Sequence, residues 1–142
     1  MSTKLAERCL TIVLRATGVV MLLALVAVFM PSSWVAATHA WLDLGDFPKA
    51  PIAEYLARMT SALYAVIGGL LILTVSDVRK HAAVITYLAI ATPGVSVCLA
   101  ATCWHLSMPR YWFLTDLATA GLFCIVVLVL QRGVRRSAAP GT

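Results

Sequence analysis

Hydrophobic residues along this chain fall into four long runs separated by short polar segments. The runs cover about residues 9–30, 52–75, 82–103 and 110–131. Each run holds the roughly 20 apolar residues that an α-helix needs to cross a bilayer, and a helix pairs its backbone groups internally. The pattern therefore predicts an all-α fold: a four-helix transmembrane bundle in a single integral membrane domain over residues 1–142.

The segment between the first two runs predicts a further, shorter helix. Pro31 ends the first run, and Ser32 and Ser33 are favourable N-cap residues for a new helix. The stretch SWVAATHAWL is too short to span, so we expect a short interfacial helix between spans one and two. Beyond it, Pro48 and Pro51 enclose a turn-rich piece.

Glycine and proline add local detail to the later helices. Pro93 and Gly94 lie in the middle of the third run, which predicts a kink there. Gly133 follows the fourth run and is the predicted C-cap, and we expect the tail over 134–142 to be disordered.

Small residues recur at four-residue spacing in the second run, at Ser61, Ala65 and Gly69. Such a stripe lets two helix backbones approach closely. It indicates tight packing, either inside the molecule or between two copies of the chain.

Lysine and arginine are distributed unequally between the two sides of the predicted membrane, which indicates the orientation. One side carries only Lys49 and Arg110 in its loops, and all four tryptophans lie near it. The other side carries Lys4, Arg8, Arg79, Lys80, Arg132, Arg135 and Arg136. We therefore expect both termini in the cytoplasm. Because helical spans are not outer-membrane barrels, we expect the cell inner (plasma) membrane as the location.

The composition agrees with the hydropathy pattern. Hydrophobic residues make up 61% of the chain and charged residues 12%, against roughly 45–50% and about 25% in soluble domains. The net charge of +5 lies mainly at the ends of the spans, where basic side chains meet lipid headgroups. Since no nucleic-acid motif is present, this charge indicates a lipid bilayer as partner and not DNA or RNA.

Three ionisable residues lie on the outer side of the predicted spans. Arg58 and Asp116 each sit roughly 9 Å below the outer edge of spans two and four. A charge at the bilayer centre costs at least ~2.5 kcal/mol, so such residues usually find partners inside the protein. We predict an Arg58–Asp116 ion pair, joined by Glu54, which precedes Arg58 at the favourable i,i+4 spacing.

A second ion pair is predicted on the inner side. Arg15 lies roughly 9 Å into span one, where its long side chain reaches back toward the cytoplasm. Asp77, at the inner end of span two, is its predicted partner.

The charges admit two interpretations. In the structural one, they determine which helices pack together and in which rotation. In the functional one, a polar pocket opens outward and takes a quinone headgroup, an anion or a proton. Its predicted lining is Glu54, Arg58, Asp116, His39 and His105. The two histidines lack a third ligand with metal spacing and the cysteines form no CxxC pair, so no metal site and no catalytic residue are assigned.

Several segments together resemble a known family. They are Arg15 and Gly18 in an early span that ends at Pro31, the stretch HAWLDLGDFPKAPIAEYLARMTSALYAVIGGLL, Asp77 and Arg79 in the inner turn, and MPRYWFLTD at the last span. Over roughly residues 10–132 the chain is similar to the DoxX-like group of small four-helix bacterial membrane proteins. The resemblance implies a four-helix membrane bundle. Some members of the group resemble the small membrane subunit of a thiosulfate–quinone oxidoreductase.

These features support three hypotheses about function. The first is a non-enzymatic membrane subunit or scaffold that packs against a protein partner or a second copy. The second is a quinone-linked membrane subunit of an oxidoreductase, and the third is a small transporter. The chain carries no cofactor motif of its own, which favours a non-enzymatic role. Quinone is the one cofactor that the resemblance suggests.

Overall fold

The computed structural model of the chain describes residues 3–136. These residues form five α-helices, and the third continues into a short 3₁₀ turn at Val75–Asp77. The helices are α1 (Thr3–Phe29), α2 (Ser32–Trp41), α3 (Pro51–Thr74), α4 (Ala82–His105) and α5 (Arg110–Arg136). Since no strand occurs in this part of the chain, the all-α prediction is confirmed. The predicted disordered tail falls largely on residues 137–142, outside the described residues.

Four of these helices are long and apolar enough to cross a membrane. They are α1, α3 with its 3₁₀ turn, α4 and α5. α1 begins at Thr3, before the predicted start of span one at Cys9. The first turns of α1 carry polar residues but are still helical. One face of these turns buries Ala6 and Leu10, which lie one turn apart and are fully buried, and this packing stabilises the helix there. The number and order of the long helices match the predicted spans.

The short helix α2 starts without a side-chain cap. Pro31 occupies the N-cap position, so the predicted capping by Ser32 or Ser33 is wrong. The Pro31 carbonyl accepts hydrogen bonds from the backbone N–H groups of Trp34 (2.9 Å) and Val35 (3.2 Å), which begins the helix without help from a serine hydroxyl. None of the residues of α2 is buried, and its interfacial position stays a prediction.

The helices α2 and α4 end in the same way. A residue just beyond each helix has a left-handed backbone, Asp43 at φ 54° and Ser107 at φ 55°. The N–H group of the next residue then donates to a carbonyl in the last turn, at 3.3 Å after α2 and 3.0 Å after α4. This Schellman arrangement pairs carbonyl groups that the helix itself leaves unpaired, and it turns the chain sharply into the following loop.

The helices α4 and α5 continue through residues at which the sequence predicts a kink or a helix end. α4 continues through Pro93, and the kink there stays a prediction. α5 continues through Gly133 to Arg136, so the predicted C-cap at Gly133 is wrong. Val134 is only 6% exposed, and burial of its apolar side chain stabilises the additional turn.

The chain divides into two compact units, and α1 contributes to both. Of the described residues, the terminal unit combines 3–14 with 74–136, and the middle unit comprises 15–73. In the terminal unit, α4 packs along α5. The buried residues of this unit are Ala6, Leu10, Leu14, Thr74, Val78, Ile85, Ala89, Ser96, Ala120, Val127, Gln131 and Val134.

In the middle unit, α1 and α3 approach each other backbone to backbone. A Cβ atom placed on Gly68 would lie 2.6 Å from the Gly18 carbonyl oxygen, and one on Gly18 would lie 2.9 Å from the Gly68 carbonyl oxygen. Neither position has room for a side chain. Gly69 faces open space, so the predicted stripe of Ser61, Ala65 and Gly69 identifies the right helix but the wrong glycine. Of that stripe, Ala65 is buried.

Candidate functional site

Arg58 is the centre of a polar cluster in the middle unit. Its side chain, on α3, is 29% exposed. Nε and Nη2 donate hydrogen bonds to Glu54 Oε1 at 3.1 and 2.6 Å. Nη2 also donates to the Met30 carbonyl at 2.9 Å, and Nη1 donates to the Val28 carbonyl. These hydrogen bonds use most of the N–H donors of the guanidinium group.

The two carbonyl groups bound by Arg58 lie at the C-terminal end of α1. The last carbonyls of a helix lack partners within it and form the negative end of the helix dipole. Pro31 follows at once, has no N–H group, and cannot continue the hydrogen-bonding pattern. Arg58 therefore supplies, from α3, both the donors and the positive charge that the end of α1 requires.

Ser32 extends the cluster to the start of α2. Its hydroxyl donates to Glu54 Oε1 at 2.6 Å. One carboxylate oxygen thus accepts hydrogen bonds from both Ser32 and Arg58, which connects the first turns of α2 and α3. We call Ser32, Glu54, Arg58 and the carbonyls of Val28 and Met30 the Arg58 cluster. Ser32 is a member that sequence reasoning missed, since it was assigned only a capping role.

His39, in α2, holds the loop that follows this helix. Its Nδ1–H donates to the Gly45 carbonyl at 3.0 Å, and its ring meets the Phe47 ring edge-on with centroids 5.4 Å apart. Gly45 has φ 82°, a left-handed conformation that favours glycine. The contacts of His39 are therefore those of a residue that orders a loop.

His105 and Asp116 belong to the terminal unit. His105 is the last residue of α4, Asp116 lies on α5, and both side chains are exposed. Because Arg58 belongs to the middle unit, the Arg58–Asp116 pair stays a prediction, and so does a pocket shared by all five residues. Glu54 and Arg58 are the predicted residues that the structure brings into contact.

Asp77 organises the turn between α3 and α4. Its Oδ1 accepts hydrogen bonds from the backbone N–H groups of Arg79 (3.1 Å) and Lys80 (2.9 Å). Aspartate commonly stabilises tight turns in this way. Arg15 is exposed and lies in the middle unit, so the predicted Arg15–Asp77 pair stays a prediction.

Arg79, in the same turn, pairs with Glu7 of α1. Its Nη2 and Nε donate to Glu7 Oε2 at 2.9 and 3.3 Å. The Glu7 carboxylate raises the pKa of Arg79 above its ordinary value. Both side chains are exposed, and exposed ion pairs contribute little to stability because water and salt screen the charges. Sequence reasoning missed this pair because 72 residues separate its members and no local spacing connects them.

Gln131 is a second polar residue that sequence reasoning missed. It is 4% exposed, on α5. Its Nε2 donates to the Ala82 carbonyl at 3.0 Å, and its Oε1 accepts from the Thr86 hydroxyl at 2.9 Å. Arg135 Nη2 donates to the same hydroxyl at 3.3 Å. The sequence signal for this site is a glutamine at the end of an apolar run. The burial of Gln131 could not be read from that signal, because it depends on how α4 and α5 pack.

Fold and site together define a helical protein with four membrane-length apolar helices and an arginine cluster that connects α1, α2 and α3. No family model, curated protein or solved structure matches the chain. The resemblance to the DoxX-like group stays a prediction. Among residues 3–136, no group of three or more His, Cys, Asp or Glu side chains is placed to hold a metal ion, and the four cysteines are free thiols.

Proposed function

We propose that this chain is a multi-pass membrane subunit with a non-enzymatic, scaffolding role. The observation that carries the proposal is the engagement of Arg58 by partners within its own unit. A residue that handles protons, anions or quinones keeps polar groups available to that ligand. Arg58 uses most of its donors to hold α1 and α3 together.

The energetics of the Arg58 cluster favour a structural role. A charge in the hydrocarbon region costs at least ~2.5 kcal/mol on its own. Charge-assisted hydrogen bonds are stronger than neutral ones, so the contacts of Arg58 with Glu54 and the two α1 carbonyls offset that cost. If a ligand replaced these partners, the cost of placing the Arg58 charge in the hydrocarbon region would no longer be offset. The cluster is therefore suited to a fixed geometry.

The long helices leave apolar side chains for lipid and for a partner protein. Val20, Phe29, Val66 and Leu73 are 67%, 80%, 69% and 69% exposed. Apolar surface of this extent is typical of membrane or protein contacts. In our proposal the four long helices form a bundle in the inner membrane with both termini in the cytoplasm. Lipid covers most of the apolar surface, and a partner chain or a second copy covers the rest.

The test compares wild-type protein with Arg58→Gln and with Arg15→Gln, a matched loss of an exposed arginine from the same unit. Each protein is extracted in a gentle detergent, and native mass spectrometry records bound proteins and bound lipophilic molecules. We expect wild type and Arg15→Gln to retain a partner chain or a second copy at a fixed ratio. Arg58→Gln should lose this complex together with most of its folded yield.

The same preparation distinguishes the alternatives. A stoichiometric quinone on the wild-type protein would overturn the scaffold and favour the quinone-linked subunit that the DoxX-like resemblance implies. Solute flux in vesicles that Arg58→Gln abolishes without loss of folded protein would favour a transporter. A purified monomer that carries phospholipid alone would also contradict the scaffold.

A further inference from the structure

A cavity in the terminal unit combines apolar walls with basic residues. Its volume is about 220 Å³. Its lining comes from α1, from the turn between α3 and α4, from the start of α4 and from the end of α5: Leu10, Val78, Arg79, Ala82, Gln131, Val134 and Arg135. None of these residues belongs to the Arg58 cluster, and all of them lie in one compact unit.

The walls and the charged groups of this cavity are chemically different. Leu10, Val78 and Val134 are 0%, 4% and 6% exposed and form an apolar interior. Arg79 and Arg135 are exposed to solvent. An apolar interior next to two guanidinium groups matches an amphipathic anion, which has a hydrocarbon part and a charged headgroup.

Arg135 has N–H donors available for such an anion. Its contact with the protein is a long hydrogen bond of 3.3 Å to the Thr86 hydroxyl, which itself donates to the buried Gln131. The position of Gln131 beneath Arg135 breaks the apolar pattern of α5. Breaks of this kind occur at functional positions.

The surroundings of the cavity are positively charged. Arg79, which lines the cavity, donates a hydrogen bond to Glu7, and Glu7 lines a second depression together with Lys4 and Arg8. In these two depressions Lys4, Arg8, Arg79 and Arg135 outnumber the single carboxylate of Glu7. The local potential therefore favours an anion over a cation.

We propose that this cavity, the Arg135 pocket, binds the phosphate of an anionic phospholipid. Arg135 donates hydrogen bonds to the phosphate oxygens, and Arg79 adds positive charge at the same cavity. The glycerol and first acyl carbons contact Leu10, Val78 and Val134. Basic pockets between membrane helices recognise acidic lipid headgroups in this way. Inorganic phosphate has the same charged oxygens but no hydrocarbon part, so the apolar walls favour the lipid as the source of the phosphate.

The test uses the full chain in detergent micelles, titrated with phosphatidylglycerol, phosphatidylcholine or inorganic phosphate. Native mass spectrometry counts retained lipid, and the thermal unfolding midpoint reports binding. We expect phosphatidylglycerol to raise the midpoint and to bind about tenfold more weakly to Arg135→Gln, the loss of one phosphate contact. Arg132→Gln removes the same charge from an exposed residue outside the lining and should bind like wild type.

Three results would overturn the proposal. Equal weakening by Arg132→Gln and Arg135→Gln would show a diffuse attraction to basic residues and no defined pocket. Equal stabilisation by inorganic phosphate would show that the hydrocarbon part contributes nothing. Equal retention of phosphatidylcholine would show that the anionic charge is not recognised. Unchanged unfolding midpoints of both variants without lipid are the expected sign that their folds are intact.

Discussion

The middle and terminal units bring their helices together by different means. In the middle unit, α1 and α3 touch at Gly18 and Gly68, and Arg58 binds the end of α1. In the terminal unit, α4 and α5 bury side chains such as Ile85 and Val127. Between α4 and α5, Gln131 provides the polar contact through its hydrogen bonds to Ala82 and Thr86.

The difference predicts unequal tolerance to mutation. A backbone-to-backbone contact depends on the absence of side-chain atoms, and an added methyl group forces the helices apart. Side-chain packing adjusts more readily because neighbouring rotamers can shift. We therefore expect single substitutions in the middle unit to cost more free energy of unfolding than those in the terminal unit.

The largest expected effect comes from Gly68→Ala. The new Cβ would overlap the α1 backbone, and overpacking of this kind costs about 1–3 kcal/mol or prevents folding. Gly69→Ala is the matched control, because its Cβ meets nothing within 4 Å. Alanine is favoured over glycine in a helix by about 1 kcal/mol, so the control should be neutral or stabilising. Unfolding followed by circular dichroism in detergent measures both. Equal destabilisation of the two variants would contradict the close crossing.

Arg58→Gln should have the next largest effect. It removes the charge and leaves Glu54 and the α1 carbonyls without their main donor, at a cost of about 2 kcal/mol in the free energy of unfolding. Arg58→Lys keeps the charge but not the forked donor geometry, and we expect it to lose about half as much. If the lysine variant unfolds at the wild-type midpoint, charge alone stabilises the end of α1 and the hydrogen-bond geometry does not matter.

Gln131→Ala tests the terminal unit and should cost about 0.5–1.5 kcal/mol, the net contribution of an ordinary hydrogen bond. The Ala82 carbonyl and the Thr86 hydroxyl lose their hydrogen bonds to Gln131 but keep the one that joins them at 2.7 Å. Thr86→Val removes the opposite hydroxyl with little change in shape. The double variant should cost less than the sum of the two single variants, because both remove the same hydrogen bond. Additive losses in denaturant unfolding would show that the two side chains do not interact.

Glu7→Gln should have the smallest effect on the free energy of unfolding, because its pair with Arg79 is exposed. The difference from wild type should vanish at high salt, where exposed charges are screened. The raised pKa of Arg79 means that its contribution is present throughout neutral pH and is lost only as pH rises through that pKa. A larger loss that salt does not reduce would show that the pair is effectively buried.

Part of the polar site could be predicted from the sequence. Glu54 and Arg58 are one helical turn apart, and their contact follows from helix geometry alone. The remaining partners of Arg58 could not be predicted, because they lie 28 and 30 residues away and depend on where α1 ends against α3. The same reason applies to Glu7 and Arg79, whose contact depends on the packing of α1 beside a distant turn.

The sequence by itself determined the number, order and approximate bounds of the long helices, since apolar length is a local property of the chain. Only the tertiary structure decided that Gly68 and not Gly69 lies at the crossing, that Ser32 binds Glu54, and that Gln131 is buried. Adjacent residues of a helix point about 100° apart, so the rotation of each helix selects which of them makes contact. That rotation is set by packing against neighbouring helices, because four almost uniformly apolar helices carry too little pattern to specify it along the chain.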